Sequence, residues 1–251
     1  MSASTEAAIS PADLGQGTGC VERCVRIFGD RLVMSTSFGI QSAALLHIAV
    51  SVAPRMPIVW IDTGYLPEET YRYARTLSER LDLNLHVYQS NLSPARMEAL
   101  YGRLWETGRS DDLDRYHHIR KVEPMQRALR EVGASAWLSA VRRSQTENRR
   151  TLPLMSVQWG VVKVHPLLDW SDEDVQRYLA DHDLPRHPLE YRGYRTVGDR
   201  HLSRPEETED TDGRRTRFRG LREECGLHVP ERTGSSIPII PLDLRNEPES
   251  E

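Results

Sequence analysis

The chain has 251 residues, enough for one sizeable α/β domain, and its formal charge of -4 gives no bulk attraction for nucleic acid. No run of about 18 apolar residues exists to span a membrane, and the polar start from Met1 lacks the basic region and apolar core of a secretory signal. Three cysteines, Cys20, Cys24 and Cys225, suit a reducing compartment better than a disulfide framework, so a soluble cytoplasmic protein is expected.

Residues 1–23, rich in Ser, Ala and Gly, read as a flexible lead-in, with the core beginning near Cys24. Arg31 to Ser35 then reads as a strand, and Gln41 to Val52, apolar all round, as a buried helix. The pattern repeats with strand Pro57 to Asp62, helix Pro67 to Leu81 opened by a proline and two glutamates, and strand Leu83 to Tyr88. Helices follow at Ser93 to Tyr101 and Glu123 to Val132, then strand Ala136 to Val141 and strand Val161 to His165. Ser171 to Asp174 has the spacing of a capping box before the helix Val175 to Ala180. Strands alternating with helices predict a doubly wound, mostly parallel sheet of five or more strands over residues 24–204. Residues 205–231 read as a mobile arm that carries Cys225 to the site like a lid, and 232–251 as a flexible tail.

Three places along this pattern carry chemistry. The loop Ser35-Thr-Ser-Phe-Gly-Ile-Gln41 lies between the first strand and its helix, where open α/β sheets bind ligands. Its hydroxyls and amides either cradle a phosphate or sulfate or merely cap the helix, and its spacing is no Walker or dinucleotide fingerprint. Asp62-Thr63-Gly64 ends the second strand at the same edge, suiting a base or ribose contact. Arg142 and Arg143, with Arg149 and Arg150 close behind, follow another strand and favour bidentate anion binding. Lys121 and the run Arg214, Arg215, Arg217, Arg219 and Arg222 read as solvated charge from composition alone, but the run stands next to Cys225. Cys225 lies outside any apolar run, and nearby arginines and His228 favour its thiolate, the nucleophilic form. Cys20 and Cys24 have no His or Cys completing a zinc spacing.

Together these segments resemble the phosphoadenylyl-sulfate reductase family. The matching stretches are Ser35 to Gln41, Trp60-Ile-Asp-Thr-Gly-Tyr65, Lys121-Val-Glu-Pro-Met125, Val141-Arg-Arg-Ser-Gln145, Gly193 to Asp199, and Thr216-Arg-Phe-Arg-Gly-Leu-Arg-Glu-Glu-Cys-Gly-Leu-His228. The resemblance implies an adenine-nucleotide α-hydrolase-like fold and reduction of 3′-phosphoadenylyl sulfate by thioredoxin or glutaredoxin in assimilatory sulfate reduction, in a homodimer. It implies Cys225 as the catalytic residue. Its substrate-binding candidates are Ser35, Ser37, Phe38, Gly39, Gln41, Asp62, Thr63, Lys121, Arg142, Arg143, Arg217, Arg219 and His228. A sister branch that reduces adenylyl sulfate carries an iron-sulfur cluster on two cysteine pairs. The corresponding positions here are Tyr116, His117, Asp199 and Leu202, none of which supplies a thiolate, so no cluster is expected. The tail after His228 is longer than the family's usual end, and the acidic stretch before Arg214 matches no motif.

Two other readings compete. ATP users of this fold carry a Ser-Gly-Gly-x-Asp-Ser loop, whereas this chain has Gln41 where the acid would stand. A noncatalytic nucleotide-binding protein would leave Cys225 idle.

Overall fold

Apolar residues run almost unbroken along the central strands, and the side-chain period of two sorts them onto the two covered faces of a single sheet. The computed structural model describes residues 14–207 together with Thr216 and Leu227. The six strands are β1 (Leu32–Thr36), β2 (Ile58–Ile61), β3 (Leu85–Tyr88), β4 (Ala136–Leu138), β5 (Met155–Gln158) and β6 (Val161–Val164), in the order β3-β2-β1-β4-β6-β5. All neighbours pair in parallel except β5, which runs antiparallel to β6.

Seven helices cover the two faces among the described residues: α1 (Gly17–Phe28), α2 (Ser42–Val52), α3 (Glu68–Leu81), α4 (Pro94–Tyr101), α5 (Ser110–His117), α6 (Glu123–Glu131) and α7 (Asp172–Asp181). Leu32, Met34, Ile58, Trp60 and Leu138 face the larger core, built with α1, α2, α3 and α7. Val33, Val59 and Trp137, one residue out of step, face α6 through Met125, Ala128 and Leu129. A third cluster of Met97, Trp105, Leu113, Tyr116 and Leu202 joins α4 and α5 to the segment beyond residue 198.

The doubly wound, mostly parallel expectation holds, with shifts at the element ends. Helix α7 begins at Asp172 rather than Val175, because Ser171 and Asp174 close a reciprocal capping box. Strand β4 stops at Leu138 instead of reaching Val141. The lead-in reading is corrected for residues 14–23: α1 starts at Gly17, and Leu14, Cys20 and Val21 are buried with Cys24 against the larger core. The glycines and serines around them masked a short apolar stripe.

The order of the strands decides where a ligand goes. From β1 the chain first builds outward through β2 to β3, then returns to lay β4 on the other side of β1. The loops after β1 and β4 therefore diverge and leave a crevice at the carboxyl edge.

Candidate active site

The crevice is real: a cleft of about 210 Å³ opens between the β1 loop (Ser35 to Ser42), the β4 loop (Ser139 to Arg142) and the segment Arg195 to Gly198. Thr63, Lys121, Met125, Arg149 and Leu227 are also part of its wall. Among the described residues that line it, the charged ones are Lys121, Arg142, Arg149 and Arg195, with no carboxylate. Such a cleft selects an anionic ligand.

The β1 loop opens at its helix. Gln41 is the N-cap of α2, yet its side chain makes no capping bond, and the Ser42 hydroxyl donates back to Gly39 O at 2.8 Å. Among the described residues the positive end of α2 therefore borders the cleft without a side-chain cap at its N-cap residue, as an anion cradle would require. Ser37 is exposed, while Ser35 Oγ accepts from Trp137 Nε1 at 2.6 Å. Phe38 does not line the cleft. With φ of 47° its ring turns into the larger core and meets Trp60 edge to face at 5.0 Å, so it shapes the loop rather than touching a ligand.

Asp62 is also displaced from its expected role. Its carboxylate accepts from Gly64 N at 2.8 Å, Tyr71 Oη at 2.7 Å and Gln89 Nε2 at 2.6 Å, a set that closes the turn after β2. Gly64 is required there, with φ of 74° and Pro94 Cγ only 2.7 Å from where a Cβ would stand. Thr63 does line the cleft, and the buried Arg120 guanidinium binds its carbonyl.

The paired arginines separate completely. Arg142 is buried in the wall and donates to Asp172 Oδ1 at 2.5 Å, to Trp170 O at 3.2 Å and to Gln41 Oε1. Burial would raise the Asp172 carboxyl, but the bonds from Arg142 and Gln41 outweigh it and hold the group below its ordinary range. Arg143 points away, spending its fork on Leu152 O at 3.0 and 3.1 Å and on Asp169. Its expected anion contact is therefore withdrawn.

Lys121 sits on a π-helical turn, His118–Val122, between α5 and α6, and its Nζ lies 2.6 Å from Asp199 Oδ2. Of the positions aligned with the sister branch's cysteines, Tyr116 and Leu202 share one apolar cluster, and Asp199 interacts with the Tyr116 hydroxyl. Arg195, Asp199 and Leu227 are parts of the site that residue-by-residue reading passed over, although the first two lie within the matching stretch Gly193 to Asp199. Cys225, Arg217, Arg219 and His228 lie outside the described residues. Their neighbours Thr216 and Leu227 both meet the fold: Thr216 O accepts from Arg204 N at 3.1 Å, and Leu227 O accepts from the buried Lys163 Nζ at 2.7 Å.

Residues 31–205 match the family model of the phosphoadenosine phosphosulfate reductase domain. A phosphoadenosine 5′-phosphosulfate reductase of Synechococcus sp. (strain ATCC 27144 / PCC 6301 / SAUG 1402/1) is 59% identical over 202 residues, which is 80% of this chain and 87% of that one. The chain belongs to this family. Among solved structures, the phosphoadenylyl-sulfate reductase of Candida auris in its phosphate complex superposes with a TM-score of 0.62 at 30% identity, covering 78% of this chain and 91% of that one. The Candida glabrata FMN adenylyltransferase, bound to FMN and an ATP analogue, aligns with a TM-score of 0.54 at 14% identity over 78% of this chain and 67% of that one. That likeness shows a shared fold. The cleft at the β1–β4 switch point is thus the candidate active site of a phosphoadenosine phosphosulfate reductase family member. No group of three or more His, Cys, Asp or Glu among the described residues is arranged to hold a metal ion, and no described helix is long and apolar enough to cross a membrane.

Proposed function

We propose that this chain reduces 3′-phosphoadenylyl sulfate to sulfite and adenosine 3′,5′-bisphosphate, with Cys225 as the nucleophile and thioredoxin or glutaredoxin as the electron donor. The observation that carries this reading is the switch-point cleft whose charged lining is entirely cationic, in a chain of this family. Its place in the sequence supports Cys225. Leu227, which lines the cleft, is only two residues beyond Cys225 in the sequence.

The Cys225 thiolate attacks the sulfuryl sulfur, the bond from sulfur to the bridging phosphate oxygen breaks, and adenosine 3′,5′-bisphosphate leaves with that oxygen. The enzyme is left as an S-sulfocysteine. One thiolate of the donor dithiol then attacks Cys225 Sγ and releases sulfite, and the second thiol resolves the mixed disulfide, so sulfur gains two electrons and the donor becomes a disulfide. An anionic nucleophile approaching an anionic substrate requires neutralisation beforehand. Lys121, Arg142, Arg149 and Arg195 surround the ligand's place, with the amide end of α2, and Arg217, Arg219 and His228 add to them from the arm. No iron-sulfur cluster takes part, and the working form is a cytoplasmic homodimer.

Sulfite release from each sulfonucleotide with reduced thioredoxin tests the reaction. The expected result is release from 3′-phosphoadenylyl sulfate in preference to adenylyl sulfate, by iron-free protein that sediments as a dimer. Cys225→Ser should fold and bind adenosine 3′,5′-bisphosphate but release no sulfite; near wild-type turnover by that variant would remove Cys225 from the mechanism.

A further inference from the structure

Asp199 is fully buried and stands immediately after Gly198, a residue of the cleft wall. Its carboxylate meets groups from two separate parts of the chain. Lys121 Nζ approaches Oδ2 at 2.6 Å from the π-helical turn, and Thr63 Oγ1 donates to Oδ1 at 2.5 Å from the loop after β2. The phenol of Tyr116, on α5, stands near it, and burial first and then the Asp199 charge push that phenol well above its ordinary range. Both partners, Lys121 and Thr63, also line the cleft.

This arrangement is more than an ion pair that happens to be buried. Taking two charges out of water rarely stabilises a fold compared with well-packed apolar residues, so stability alone is a weak reason for the pair. The pair does serve placement. A lysine stem has four rotatable carbons, and an ammonium left to itself at a cleft wall samples many positions. Asp199 cannot follow it: the carboxylate is fixed by Thr63, and its own carbonyl accepts from Leu202 N at 2.9 Å and Ser203 Oγ at 3.0 Å. The π-helical turn, in which one extra residue re-aims the side chains that follow, brings Lys121 to this anchor.

We propose that Asp199 is a positioning residue for the reduction: its buried carboxylate, held by Thr63 and by the turn that Leu202 and Ser203 close on its carbonyl, keeps the Lys121 ammonium at one point of the cleft wall, where it meets the anionic oxygens of the sulfonucleotide. Preorganised charge of this kind costs no reorganisation when the sulfuryl group is transferred. The proposal rests on the reading that Lys121 contacts the substrate, and it assigns Asp199 a role through Lys121 rather than a contact of its own.

The test is a double-mutant cycle on the full-length protein, with sulfite release from 3′-phosphoadenylyl sulfate as the assay and adenosine 3′,5′-bisphosphate binding as the independent readout. Asp199→Asn should lower kcat by roughly tenfold to a hundredfold, leave KM within about threefold, and bind the bisphosphate nearly as the parent does. In a Lys121→Met background the same substitution should change kcat by less than about twofold, since the group it positions is gone. Wild-type kcat for Asp199→Asn, or a further tenfold loss on adding it to Lys121→Met, would overturn the role assigned to Asp199. Wild-type kinetics for Lys121→Met would instead sink the reading of Lys121 as a substrate contact. Should Asp199→Asn fail to fold, the comparison of Lys121→Met with Lys121→Met/Asp199→Leu decides, because the double variant leaves no buried charge unpaired: equal kcat supports the role and a tenfold drop refutes it.

Discussion

The two cationic walls of the cleft are built on different plans. On one side, Arg142 is bound by Asp172, whose side chain is 48% exposed, and by the amide of Gln41. On the other, Lys121 is bound by Asp199, whose side chain is 0% exposed and fixed by further bonds. Asp172 borders water and also lies 3.7 Å from Arg195, so its hold on Arg142 is screened and can be exchanged for a ligand's oxygens. Asp199 has no such freedom. A cleft that must both admit and orient a polyanion gains from having one exchangeable and one permanent cation site.

Stability separates the two walls most sharply. Lys121→Met leaves a carboxylate buried without its cation and should cost on the order of 3–5 kcal/mol, whereas Asp172→Asn at the exposed wall, which keeps an acceptor for the buried Arg142, should cost about 1–2 kcal/mol. Urea unfolding of both variants measures the difference. Equal losses would mean that the buried pair is no more fixed than the exposed one.

Acid should reach the walls in sequence. His201, stacked on Trp105 at 3.8 Å beside the Lys121–Asp199 wall, is held neutral by burial, and its pKa is lowered to about 4. The charges facing it are Asp199 and Glu98, which favour protonation, and Lys121 and Arg200, which oppose it. His187 is likewise lowered to about 4 by burial; its Nδ1 accepts from Leu189 N, a bond that protonation abolishes. His165 is lowered to about 3, again by burial first. Each folded imidazole binds a proton less readily than the unfolded chain does, so stability is full above the ordinary histidine value and is lost as pH falls from about 6.5 towards 4. The contribution is on the order of 2–3 kcal/mol per fully buried ring. Asp172, whose carboxyl is lowered, adds its loss only below the ordinary carboxylate range. Thermal unfolding between pH 7 and 4.5 should show the decline, and His201→Phe should flatten it; an unchanged slope would place the titrating rings elsewhere.

How far the sequence disclosed all this depends on whether the residues are neighbours in the chain. The β1 loop is contiguous, and its position between a strand and a helix is enough to place it at the carboxyl edge. The short apolar runs of β1, β2 and β4, each set between helical patterns, likewise disclose the sheet. Helix α5 escaped because Ser110 to His117 is mostly polar, with Leu113, Tyr116 and His117 as its buried residues. Strand β5 escaped because it is an edge strand with Val157 73% exposed, so it lacks a two-faced pattern. Asp199 and Arg195 are single charged residues whose roles arise when tertiary structure brings them to Lys121 and Asp172, and no local spacing announces that. Asp62 and Phe38 failed for a related reason: a strand end at the ligand edge does not say whether its side chain faces the ligand or closes the turn.

The smallest expected effect, that of Arg143→Ala on turnover, is also the most direct check on the Arg142 wall, since adjacent arginines of identical chemistry differ there only in direction. Arg142 is buried and lines the cleft, so Arg142→Ala removes a cation facing the anion and leaves Asp172 and Gln41 without their partner. It should lower kcat/KM by roughly a hundredfold, as loss of a charged donor to a transferring group does. Arg143 binds the Leu152 carbonyl and Asp169, and its side chain is 38% exposed. Arg143→Ala therefore loses a bond to a carbonyl and a half-exposed ion pair, which should lower stability by about 1 kcal/mol and change kcat/KM by less than about twofold. A large loss of kcat/KM in Arg143→Ala, with adenosine 3′,5′-bisphosphate binding weakened in parallel, would show that Arg143 swings from Leu152 into the cleft when the nucleotide binds, and that the exchangeable wall contains both arginines rather than one.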